Sequence, residues 1–156
     1  VADSFYVVGR DETMGRHTGR RVRRPLSEIL TGIDYSKPVI MIDHQPVDLD
    51  ESDRNGVDLQ VSGHTHLGQL FPNQLVTDRL FENDYGYLKK ENLQVIVSAG
   101  YGTWGPPIRI GNTPEIVHIK VTFSSASWIA VGMSVAGHPP HRSVREELPH
   151  TAPTSG

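Results

Sequence analysis

Two imidazoles spaced i, i+2 in Gly63-His64-Thr65-His66 close a short apolar run, Val57-Asp58-Leu59-Gln60-Val61-Ser62. At the end of a strand this spacing turns both rings the same way, because side chains alternate with period two. The glycine before them lets backbone and ligand approach closely. Neutral imidazole nitrogens presented like this suit divalent metals. Upstream, a second buried-looking run, Lys37-Pro38-Val39-Ile40-Met41-Ile42, ends in Asp43-His44-Gln45-Pro46. Two strands that each terminate in histidine, joined by an acidic segment of helix length, point to a metal site at the carboxyl ends of a sheet. Asp43 either orients a histidine as a neighbouring carboxylate or caps the turn at Pro46. Asp48, Asp50, Glu51 and Asp53 resemble ligands, but acids in a first helical turn are the ordinary expectation. His17, His118, His138, His141 and His150 have no partner at ligand spacing and read as surface or strand residues.

The elements that must hold these residues follow from periodicity and punctuation. Ser4 to Val8 reads as a buried strand ended by Gly9, with Arg10-Asp11-Glu12 as the loop at its carboxyl end. Arg16, Arg20, Arg21, Arg23 and Arg24 follow with no acid among them, a solvated loop or an anion-recruiting one. Pro25 suits the first turn of a short helix through Leu30, with Gly32 beyond it. Residues 38–42 form a strand. Asp48 to Arg54 is an acid-led helix, stopped where Asn55-Gly56 accepts a left-handed cap. Residues 57–62 form the next strand. Leu75, Val76, Arg79 and Leu80 fall at helical spacing within 74–82, and 85–89 with 93–98 flank Lys90-Glu91-Asn92 as a hairpin. The loop 99–107 is too rich in Gly and Pro for regular structure. A last strand over 115–123 alternates a polar-leaning face with Val117, Ile119, Val121 and Phe123. From Ser124 to Gly156 the composition turns to Ser, Pro, His, Thr and Gly, with Trp128-Ile129-Ala130-Val131 as one apolar patch. That stretch reads as a mostly disordered tail, because it buries too little to offset ordering entropy.

Composition narrows the chemistry. The 156 residues suit one domain, and a net charge of −3 argues against nucleic-acid binding driven by bulk electrostatics. With no cysteine, disulfides and thiolate metal sites are excluded, so any metal is held by His, carboxylate, amide or backbone oxygen. The longest apolar runs cover about four residues, against the roughly 20 needed to cross a bilayer. The chain opens on Val1 almost directly into a strand, and reads as a piece of something longer.

Three segments together carry a resemblance. Asp43-His44-Gln45-Pro46, the stretch 56–69 with its Gly-His-Thr-His, and Gly102-Thr103-Trp104-Gly105-Pro106-Pro107-Ile108-Arg109-Ile110-Gly111 closely resemble the calcineurin-like metallophosphoesterases, over residues 5 to 123 and in the same order. Within that family they look like a bacterial branch whose members often carry membrane helices or an export signal before the catalytic domain. The resemblance implies an α/β fold, the C-terminal half of a four-layer α/β/β/α sandwich, over residues 1–123. It implies two divalent ions (Mn, Zn or Fe) and hydrolysis of a phosphomonoester or phosphodiester by a metal-bound hydroxide. By the same carry-over His44 and His64 would ligate one metal and His66 the other. Paired cations of this kind lower the pKa of water and neutralise phosphoryl charge. Arg109 either contacts phosphate or pairs with an acid. Trp104 is either a packing plug or a stacking platform, and Gln69 a turn contact.

The chain also departs from the pattern. The family's Asp-x-His and Gly-Asp-x-x-Asp motifs do not occur in it, and both are expected in sequence preceding Val1. Where the family has Gly-Asn-His-Asp or Gly-Asn-His-Glu after a strand, Gly9-Arg10-Asp11-Glu12 stands here. Arginine stays protonated and cannot ligate a cation, but Arg10 could clamp a phosphate in two-point fashion. Asp11 could act as the acid in place of His or ligate metal directly. Two further readings remain beside a phosphoester hydrolase: a truncated, noncatalytic metal-binding or interaction module, and an arginine cluster that contacts anions or acidic lipid.

Overall fold

The computed structural model describes residues 4–11 and 23–123 together with the backbone of 129–136. Four strands form a parallel ladder: β1 (Tyr6–Arg10), β2 (Val39–Asp43), β3 (Leu59–Ser62) and β5 (Leu93–Val97). An antiparallel strand, β4 (Gly86–Lys90), closes one edge, giving the order β1-β2-β3-β5-β4. The expected hairpin is therefore β4–β5, turned at Glu91 with φ of 41°. Helices α1 (Leu26–Ile29) and α2 (Leu49–Arg54) lie in the β1–β2 and β2–β3 crossovers. After α2 the left-handed residue is Gly56, at φ of 74°, where glycine meets no Cβ penalty.

Alternation assigns the faces of the sheet. Val39 and Met41 of β2, with Leu93, Val95 and Val97 of β5, join Leu26 and Leu30 near α1 and Leu49 of α2 in one fully buried core. The opposite face carries Leu59 and Ile96, covered by Val117, Ile119 and Val121 of β6 (Ile116–Phe123). The alternation read in 115–123 thus separates a face packed on the main sheet from a face left to solvent. Helices, mixed sheet and a second small sheet make a layered α/β domain. Among the described residues no helix is long and apolar enough to cross a membrane.

Three expectations change. Gly9 does not end β1; the ladder continues through Gly9↔Ile42 to Arg10↔Asp43, where both charged residues are buried and each is ion-paired. Residues 129–136, assigned by composition to a disordered tail, form β7 (Ile129–Ala136), paired antiparallel with β6 over eight residue pairs. Backbone pairing to an existing strand supplies what side-chain composition lacks. The remainder of 124–156 lies outside the described residues. Finally α3 (Gln74–Leu80) forms as expected, but its apolar positions are not buried: Leu75, Val76 and Leu80 are 54%, 53% and 72% exposed. Helical spacing predicts which residues share a face, not whether anything packs on it.

Candidate metal centre

The residues singled out in the sequence converge at the carboxyl ends of β1, β2, β3 and β5. A cleft there is lined by Arg10 at the end of β1 and Asp11 beyond it, Asp43 at the end of β2 and His44 beyond it, and Ser62 at the end of β3 with Gly63 beyond it. Loops following parallel strands lie side by side, so residues far apart in sequence meet.

His44 and His64 come together. His44 Nε2 and His64 Nδ1 lie 3.1 Å apart, with the rings nearly perpendicular at 82°. Two Zn–N bonds at a tetrahedral angle place their nitrogens about 3.3 Å apart, so this pair suits two ligands of one cation. His66 stands in the same loop but is differently engaged: its Nδ1 is 3.4 Å from Arg109 Nη2. Burial, then the Arg109 charge, hold its pKa below the ordinary imidazole value. Among the described residues no three His, Asp or Glu side chains cluster to hold a metal ion. The arrangement therefore fits part of a coordination sphere and not a complete centre.

The loop carrying these rings is strained. His64, His66, Leu67 and Gln69 all have positive φ, at 70°, 49°, 48° and 52°. Non-glycine residues adopt this region at a cost and persist there only when surroundings hold them. The surroundings are specific. Asn112 Nδ2 donates to the carbonyls of His66 and Leu67 at 3.0 and 2.9 Å. Thr65 Oγ1 donates to the Asp84 carbonyl at 2.7 Å. Gln69, 3% exposed, donates through Nε2 to the Trp104 carbonyl at 2.6 Å and accepts from the Trp104 amide. It is a buried clamp between two loops, more than a turn contact. The Trp104 ring itself is 74% exposed, so it does not act as a packing plug.

Among the described residues Arg109 pairs with no acid. Its guanidinium donates to the carbonyls of Ala99 and Gly100 at 2.9 Å each, to that of Gly102, and to Asn112 Oδ1 at 3.1 Å. Carbonyl oxygens take the place of an acid because the Gly-rich loop leaves them without a ladder. Glu115, a residue that spacing alone does not single out, anchors the same loop. Only 5% exposed, it accepts from Ser98 Oγ at 3.0 Å, the Ala99 amide at 2.8 Å and Tyr85 Oη at 2.8 Å.

A second polar group underlies the cleft. Arg10 is ion-paired with Glu51 of α2, and Arg23 with Asp43. Glu51 also accepts from the Leu26 amide at 3.0 Å, tying α1 to α2. Burial pushes the Asp43 carboxyl above its usual range, against the pull of Arg23. Burial also presses Glu51 upward, but the Leu26 amide and Arg10 outweigh it and hold the carboxyl below its usual range. Asp43 also accepts from the Gln45 amide at 3.2 Å, the turn-capping role. Asp11 is exposed at the cleft mouth. The other helix acids have structural roles: Asp50 pairs with Lys90 at 2.7 Å, and Asp53 accepts from the amides of Asn92 and Leu93 at 3.2 and 3.1 Å. The ion pairs of Glu51 and Arg23 became visible only in the fold. An arginine run reads as solvated until one member is seen to face a buried carboxylate.

No family model matches the chain, and no solved structure matches it significantly. Curated proteins do. An uncharacterized metallophosphoesterase of Aquifex aeolicus is 36% identical over 123 residues, covering 78% of this chain and 47% of the relative. One from Helicobacter pylori (strain J99) is 37% identical over 90 residues, covering 56% and 24%. A Danio rerio protein named as a transmembrane protein with metallophosphoesterase domain is 34% identical over 97 residues, covering 60% and 22%. The chain spans less than half the length of each of these relatives.

Proposed function

We propose, since this chain belongs to the metallophosphoesterase family, that it carries part of the centre of a metal-dependent phosphoester hydrolase. The single observation behind this is the His44–His64 pair, whose ring nitrogens face each other at 3.1 Å across the ends of adjacent parallel strands. His44 and His64 hold one divalent ion, with His66 available to a second. A bound cation supplies Lewis acidity toward phosphoryl oxygen and acidifies water. The chain's own groups do the rest: Arg10 at the cleft bears positive charge toward a phosphoryl group, and Asp11 at its mouth moves a proton. Arg109 acts at one remove from substrate, by fixing the loop beside His66. Residues 1–123 constitute part of the catalytic domain, whose complete centre needs ligands beyond His44, His64 and His66. The substrate is a phosphomonoester or phosphodiester. Attachment to a membrane, or export, of the complete protein belongs to the same reading, in line with the name of the Danio rerio relative.

Metal retention tests this. The chain is stripped with chelator, reloaded with Mn²⁺ or Zn²⁺, desalted and assayed for bound metal beside His64→Ala. About one equivalent, lost in the variant, is expected from a two-imidazole site supplemented by solvent. A folded chain that retains no metal, or retains it equally without His64, overturns the reading.

A further inference from the structure

The cluster beneath the cleft holds more donors than the protein uses. Arg10 and Arg23 have side chains only 3% and 9% exposed, and each spends Nη2 on a carboxylate. On both, Nε and Nη1 are buried and have no hydrogen-bond partner among the described residues. Native proteins leave few buried donors unpaired, and charged ones least of all. Two guanidiniums gathered around the same two carboxylates, with four idle nitrogens, are thus short of acceptors among the described residues. Each carboxylate feels both arginines: Asp43 is drawn by Arg23 and Arg10, and Glu51 by Arg10 and Arg23. The four groups therefore form one charge cluster, and Arg10 and Asp43 from it line the cleft next to His44.

We propose that Arg10 and Arg23 form a subsite for a tetrahedral oxyanion, the phosphoryl group of an ester or inorganic phosphate, and that it binds without metal. Guanidinium forks match phosphate oxygens in geometry and in charge. Asp43 and Glu51 do not compete for the idle nitrogens; they fix the two planes so that those donors are preset. A carboxylate ligand offers two oxygens, whereas a phosphoryl group offers at least three, the better match to four donors. The choice of phosphate as ligand rests on the phosphoesterase reading above; the existence of the subsite rests on the idle donors alone.

The test is calorimetric titration of the full, metal-stripped chain with inorganic phosphate and, separately, with phenyl phosphate. Wild type is expected to bind, more weakly as salt rises. Arg23→Gln should weaken binding by about tenfold or more. Arg23→Lys, which keeps the charge but loses the planar fork, should weaken it severalfold and serves if the Gln variant does not fold by circular dichroism. His64→Ala should leave phosphate binding unchanged. Phenyl phosphate binding as well as phosphate identifies a substrate-carried group; phosphate alone identifies the free ion. No binding by stripped wild type, or binding indifferent to both Arg23 variants, overturns the subsite. Metal retention that needs His64 alongside such a failure leaves the hydrolase reading intact. Arginine-dependent phosphate binding in a chain that retains no metal does the reverse.

Discussion

Tyr85 shows how a residue remote from any predicted chemistry shapes the site through a single hydrogen bond. Its hydroxyl donates to buried Glu115, which in turn fixes the Ser98–Ala99 loop against which Arg109 leans. Burial first, then the hydrogen bond and charge of Glu115, push the phenol from 10.0 up to about 12. A group with a raised folded pKa stabilises fully below its unfolded value and loses that contribution as pH climbs through the folded one. The native fold should therefore weaken between pH 10 and about 12, and Tyr85→Phe should flatten that limb. Urea midpoints from about pH 9 upward check this. Near neutrality the same variant should cost about 1–2 kcal/mol, since Ser98 and Ala99 still satisfy Glu115. At this scale the sequence was legible where residue type limits chemistry: His44 and His64 were singled out by spacing and are found together. Arg10, Arg109 and Glu115 were not legible in their contacts, because, Asn112 apart, each partner lies 16 to 43 residues away or is a backbone carbonyl, and spacing carries no trace of either.

Strands and helices were the most legible scale. The apolar runs at 39–42 and 59–62 announced strands, and period-two alternation in 115–123 gave facing as well, with Val117, Ile119 and Val121 half-buried against the sheet. What escaped was docking. Helix α3 is attached by backbone more than by its apolar side: a Cβ on Gly68 would lie 2.4 Å from the Gln74 amide nitrogen and 2.6 Å from Asn73 C, at a φ of 67°. Gly68→Ala must push the first turn of α3 off the His66–Gly68 turn. A loss of at least about 2 kcal/mol is expected from overpacking and left-handed strain combined. Chemical denaturation gives that figure, with Gly9→Ala, where nothing lies within 4 Å, as the neutral control.

For the molecule as a whole, stability should reside on the helix-side core. Met41 is fully buried among α1, α2 and β5, whereas its neighbour Ile42 on the other face is 55% exposed. Met41→Ala should cost about 2–5 kcal/mol and Ile42→Ala within about 0.5. Equal losses in thermal unfolding would refute this division of the sheet. The α/β class was readable only through the family resemblance and the strand order not at all, since composition does not encode topology. The misreading of 129–136 has a related cause: composition weighs side chains, and β7 is held by a ladder of main-chain pairs. The left-handed run from His64 to Gln69 has a further consequence, for adaptation. Four side chains occupy backbone conformations that glycine would hold at less cost. Selection for thermal endurance alone should drift toward glycine at these positions, and at all but Leu67 each such gain in robustness would erase an imidazole or the Gln69 clamp. Resilience and competence are thus set against each other along six residues, and the retained histidines mark the side on which this chain has stayed.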